Sequence, residues 1–159
     1  MSKLNLTPIA LVTVLISIGA QAATTGSITI SGTVPAATAI VVTPVAGYNA
    51  LDLATTAVDQ QVATVREINN TANGYTVTLA SANSGSLVNG VIGSVGYSAK
   101  YDGGSVTLSN TPQTVTNAGP SSSVVNVLKS FDVSFTGTAP EDLMQGTYSD
   151  TLTFTIQAN

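Results

Sequence analysis

The chain has 159 residues, a formal net charge of −4, and only 8% charged side chains against 43% hydrophobic ones. It contains no Cys, His or Trp, which excludes disulfide frameworks, Cys/His zinc sites, Ser-His-Asp and Cys-His nucleophiles and dithiol redox chemistry. The length fits one domain, four Lys+Arg against eight Asp+Glu give nucleic acid no electrostatic reason to bind, and an apolar set dominated by Val, Ile, Leu and Ala beside abundant Thr favours strands.

The chain opens with Met1-Ser2-Lys3 and then runs apolar from Pro8 to Ile18 before Gly19-Ala20-Gln21-Ala22-Ala23. One positive charge, a short apolar core and small residues at Ala20 and Ala22 make a secretory signal peptide over 1–22, cleaved after Ala22. A membrane anchor is the alternative, and the apolar run falls short of the roughly 20 residues a spanning helix needs. Cleavage leaves 137 residues with Arg66, Lys100 and Lys129 against all eight acids, a net charge of −5, and no further segment able to span a membrane. The exported chain is expected to rely on its core, because it has no Cys to oxidise.

Apolar residues then recur at spacing two, not three and four, so the expectation is all-β. In 23–35, Ile28, Ile30, Gly32 and Val34 alternate with Ser27, Thr29, Ser31 and Thr33, which reads as a strand in need of a partner. It is either the first strand of the chain's own sheet or a strand given to another subunit; alternation alone leaves both open. Further strands are expected around Ala39–Val42, over Val62–Ile68 and over Tyr75–Leu79, with Thr71-Ala72-Asn73-Gly74 as a hairpin turn between the last two. Val95, Tyr97, Ala99 and Tyr101 form one face of a strand that turns at Asp102-Gly103 into Val106–Leu108. From Ser123 to Thr136, Val125, Val127, Phe131, Val133 and Phe135 share a face, interrupted by Lys129 at either a bulge or the limit of the buried region. Gly137–Gly146 is a loop with a short helical turn, and Gly146–Ile156 a last strand with Tyr148, Leu152, Phe154 and Ile156 on one face. Strands at this spacing predict a Greek-key β-sandwich.

Residues with chemical potential are few. Glu141 and Asp142 are adjacent acids in a loop, ordinarily just solvated. Asp102-Gly103-Gly104 lacks the acidic ladder of a calcium loop and is explained by its turn. Asn69-Asn70-Thr71 matches a glycosylation sequon and indicates a surface loop. Tyr97 and Tyr101 could stack on sugars, with core packing as the ordinary alternative. No enzyme activity, cofactor or metal is expected.

The alternating segment after the signal peptide, Asn73-Gly74-Tyr75-Thr76-Val77-Thr78-Leu79-Ala80-Ser81-Ala82-Asn83 in the middle, and the closing Gly-Thr-Tyr-Ser-Asp-Thr-Leu-Thr-Phe-Thr-Ile of 146–156 together resemble subunits of chaperone-usher pili, including the related spore-coat-U-like secreted domains. The resemblance spans the layout of nearly the whole mature chain. It is to the Cys-less members, since Pro35–Ile40 lacks the Cys many pilins carry there, and the chain ends Gln157-Ala158-Asn159 without the terminal aromatic common in others. The resemblance implies an Ig-like sandwich over 36–159, incomplete and completed by a donated strand. It further implies a surface fimbria assembled by donor-strand exchange in support of adhesion, with export through the periplasm. The implied partners are a periplasmic chaperone, an outer-membrane usher and neighbouring subunits arranged head to tail. On it, the extension 23–35 supplies Ile28, Ile30, Gly32 and Val34 as donor residues, and Tyr148, Leu152, Phe154 and Ile156 line the acceptor groove. The rival from another class is a self-complete secreted β-sandwich that binds carbohydrate.

Overall fold

The computed structural model describes residues 24–90 and 92–159. Ten strands follow in order: β1 (Thr38–Pro44), β2 (Ala57–Asn69), β3 (Tyr75–Ser81), β4 (Ser86–Asn89), β5 (Gly93–Gly96), β6 (Ser98–Tyr101), β7 (Gly104–Val106), β8 (Gln113–Ala118), β9 (Val125–Phe135) and β10 (Leu152–Ala158). A single 3-10 turn, Pro140–Asp142, interrupts the described β structure in the loop expected to carry one. Among the described residues no helix is long and apolar enough to cross a membrane. The signal-peptide segment lies outside the described residues.

The strands form an antiparallel β-sandwich. One sheet has the order β1-β2-β9-β6-β7, the other β10-β3-β8, and β4 and β5 make a separate hairpin. Period-two alternation sets the inner faces: Ala63, Val65 and Glu67 on β2, Tyr75, Val77 and Leu79 on β3, and Phe131, Val133 and Phe135 on β9 are all buried. The aromatic centre is Phe131 against Phe154 at 5.4 Å between ring centroids, edge to face, with Tyr101 at 5.8 Å from Phe154.

The strand order matches the immunoglobulin arrangement, in which A, B, E and D share one sheet and C, F and G the other. Here β1, β2, β9 and β6 take the A, B, E and D places, while β3 and β10 take C and F. The place of G lies beside β10 on the side away from β3, and no described strand occupies it.

Two connections differ from the sequence expectation. The Thr71–Gly74 turn joins strands of different sheets, so it is a sandwich corner and not a hairpin. The run from Val95 to Tyr101 breaks at Tyr97, with β5 pairing to β4 and β6 pairing to β9 and β7. The Asp102-Gly103 hairpin is as expected, with φ of 51° and 78° at the two residues of a type I′ turn.

The chain divides after Thr33. Residues 24–33 belong to no strand ladder, so the strand expected there is unpaired, and Ile28 and Ile30 are 85% and 88% exposed.

Candidate functional site

Along one flank of the sandwich, β1 and β10 lie side by side as the edge strands of their respective sheets, each paired on only one side among the described residues. On the opposite flank the chain itself passes from β7 to β8, with Val106 and Leu108 packed on the core. Among the described residues no connection runs along the β1–β10 flank, and Tyr48 and Leu51 between β1 and β2 line part of its opening. Between its two edges runs an apolar groove of about 320 Å³, walled by Val42 and Pro44 of β1 and Leu152 and Phe154 of β10, and floored by Phe131 and Phe135.

Exposure within single ladder pairs shows what this opening does. Val42 is paired with Val65, yet Val42 is 42% exposed and Val65 fully buried. Phe154 and Ile156 face Leu79 and Val77, both fully buried, but are themselves only half-buried. The side chains point into the sandwich, and among the described residues no strand lies beyond them at either edge. The groove therefore exposes apolar side chains and unpaired main-chain edges together, the combination that invites another strand.

Leu152, Phe154 and Ile156 share the inner face of β10, as expected from the sequence. Tyr148 does not join them. It precedes β10, donates its hydroxyl to the Met144 carbonyl at 2.8 Å, and lines an adjoining cleft of about 430 Å³ that shares Tyr48, Leu51, Leu87 and Asp150 with the groove. Ile28, Ile30 and Val34 are 85–88% exposed, and around Gly32 there is open space.

Asp150 fixes the start of β10. Its carboxylate accepts hydrogen bonds from Ser81 Oγ at 2.5 Å and Tyr97 Oη at 2.6 Å, and from the Asn83 amide at 2.9 Å. Burial, together with the Asp150 carboxylate, pushes the Tyr97 hydroxyl well above its ordinary range, so it stays a donor. One wall of the groove is thereby tied to the turn that follows β3.

A buried polar cluster, not anticipated from the sequence, lies between the sheets. The fully buried Glu67 accepts from Tyr101 Oη at 2.6 Å, Tyr75 Oη at 2.8 Å and Thr116 Oγ1 at 2.8 Å. Lys129 Nζ lies 3.2 Å from its carboxylate, donates to Thr116 Oγ1 at 2.9 Å, and sits 5.2 Å above the Tyr101 ring. The interruption at Lys129 is thus no bulge. The ladder is regular there, and Lys129 stands at the limit of the buried region, between buried Phe131 and Val127 at 41% exposure. Its partner could have been sought in Glu67, an acid in phase with Ala63 and Val65 on the paired strand.

The other residues singled out from the sequence serve the fold. Asn69 is 2% exposed and not on a surface loop; its side chain bonds Thr38 and Thr71. Tyr101 is core and Tyr97 half-buried, both with their hydroxyls engaged by carboxylates, so they offer no sugar platform. Glu141 and Asp142 are exposed in the 3-10 turn. No protein-family model matches the chain, and no curated protein matches its sequence.

Proposed function

We propose that this chain is a non-enzymatic structural subunit of a bacterial surface fimbria, polymerised by donor-strand exchange. In this reading the segment 23–35 of one copy inserts into the β1–β10 groove of the next. The carrying observation is the vacant G place, where an apolar groove opens between two unpaired edges.

The occupant matches in length and pattern. Ile28–Val34 and β10 each cover seven residues, roughly 23 Å of extended chain. Insertion gives every second residue to the core and the main chain to the edges, the strand-addition mode of recognition. Burial of Ile28, Ile30 and Val34, at about 1.5–3 kcal/mol each, contributes roughly 5–9 kcal/mol before the cost of ordering the segment. Gly32 suits a point where the groove is too narrow for a side chain. The contact is head to tail and does not close on itself, so it builds a fibre. Before assembly the same groove needs a cap, the role of a periplasmic chaperone that delivers the subunit to an outer-membrane usher and the cell surface.

A synthetic peptide of residues 23–35, added to the chain lacking those residues, tests this reading. The expected result is saturable binding with a raised melting temperature, lost when the peptide carries Ile30→Asp. Equal binding of both peptides, or of neither, refutes it.

A further inference from the structure

The extension joins β1 through only three residues, Pro35-Ala36-Ala37, and one side chain holds them. Asn70 Nδ2 donates to the Pro35 carbonyl at 2.9 Å, and Asn70 Oδ1 accepts from the Ala37 amide at 2.6 Å. The Asn70 main-chain amide adds a bond to the Ala37 carbonyl at 3.0 Å. In an extended chain the carbonyl before a residue and the amide after it point to one side, so the flat Asn70 amide grips Ala36 as a neighbouring strand would. The pairing continues the β1–β2 ladder, in which Thr38 stands opposite Asn69, by one residue.

The grip matters because of where a turn at this short connection would send the extension. A three-residue loop at 35–37 would turn Ile28–Val34 back along the free edge of β1, antiparallel to β1 and so parallel to β10, a reversed occupant of the subunit's own groove. With so short a connection the effective concentration reaches the millimolar range or higher, so even a reversed strand would compete with capture by a neighbour. Such a loop ends in a residue of positive φ, usually Gly. The position is Ala37, which is not among the residues of positive φ here, and whose Cβ disfavours that conformation. Turning would also break both bonds to the Asn70 side chain.

We propose that Asn70 is a positioning residue for assembly: it keeps 35–37 straight, withholding the extension from its own groove so that it serves a neighbouring copy. This rests on the donor-strand reading above.

The test uses the full chain, exported with its leader, then unfolded and refolded at several concentrations. Wild type, Asn70→Ala and Asn70→Ala/Ala37→Gly are compared by size exclusion with light scattering, and their monomer fractions are melted. The expected result is multimers for wild type and a monomer-to-multimer ratio raised about tenfold for Asn70→Ala, the order set by two ordinary hydrogen bonds, and further for the double variant. The variant monomers melt above the wild-type monomer, and added Ile30→Asp abolishes that gain. A merely structural Asn70 would move the melt the other way. Variants that multimerise as wild type does, or whose monomers melt no higher, overturn the proposal while leaving donor-strand assembly standing. A wild type that never multimerises, with a monomer melt indifferent to Ile30→Asp, overturns both.

Discussion

Replacing Lys129 by Met removes the cation facing Glu67 while keeping most of its apolar stem. At 3.2 Å, and with an effective dielectric of about 20, the pair attraction is on the order of 5 kcal/mol. Relief of the desolvation of Lys129, whose side chain is 17% exposed, offsets part of this. The three hydroxyl bonds to Glu67 survive, so the expected loss is about 2–4 kcal/mol near pH 7. The pH dependence follows from Glu67. Burial alone would push its carboxyl up, but the hydroxyls of Tyr101, Tyr75 and Thr116 and the charge of Lys129 outweigh it and hold the group below its ordinary value. A carboxyl depressed in the folded state adds stability that is fully present above its unfolded pKa, about 4.3, and is lost as pH falls through the folded value. Without Lys129 the folded value rises, so the gap between wild type and variant is widest near neutrality and narrows as the pH drops through about 4. Urea denaturation of both proteins from pH 7 to pH 3.5 measures it. A gap below about 1 kcal/mol at pH 7, or one that does not change with pH, would refute the reasoning.

Asp150→Ala leaves Tyr97 Oη and the Asn83 amide without their acceptor and frees the start of β10. It is expected to cost about 2–4 kcal/mol in chemical denaturation and to speed amide exchange in the first residues of β10; unchanged exchange there would contradict the anchoring role. At Gly74, with φ of 88°, an added Cβ falls inside the contact distance of the Ala118 and Gly119 carbonyl oxygens. Gly74→Ala is therefore expected to cost more than about 3 kcal/mol or to prevent folding, read by circular dichroism and thermal melting. Gly32→Phe meets only open space in the subunit itself. It is expected to leave the monomer melt unchanged and abolish multimers in light scattering, and normal multimers would remove Gly32 from the assembly step.

Much of this architecture is written in local pattern. β10, the buried half of β9 and the Asp102-Gly103 hairpin follow from period-two alternation and turn chemistry that need no distant partner. The three inner residues of β10, of which Leu152 and Phe154 line the groove, were legible for the same reason. β8 was not, because Gln113-Thr-Val-Thr-Asn-Ala118 carries a single large apolar residue and owes its strand to pairing with β3. The Asn73-Gly74 turn has hairpin chemistry, but which sheet takes the next strand is decided by packing over the whole domain. Tyr148 fits the alternation of β10 by parity, yet the pairing of Ser149 with Val88 draws its segment toward β4. The share of β1 in the groove, Val42 and Pro44, depends on two edges meeting that lie more than a hundred residues apart in the chain. Lys129 reads as a fault in an apolar face; only the strand register brings it beside Glu67 of the paired strand.

The central claim is that the sandwich lacks one strand and that residues 23–35 are its complement. Its most direct test compares the thermal stability of three proteins: the chain from Ala23, the chain lacking 23–35, and that shortened chain with 23–35 appended after Asn159 through a short flexible linker. A strand that follows β10 and runs antiparallel to it enters the vacant place in the orientation of G. The third protein is expected to be a soluble monomer melting far above the second. A chain from Ala23 that is already a stable monomer, gaining nothing from the appended strand, would contradict it and make the sandwich self-complete.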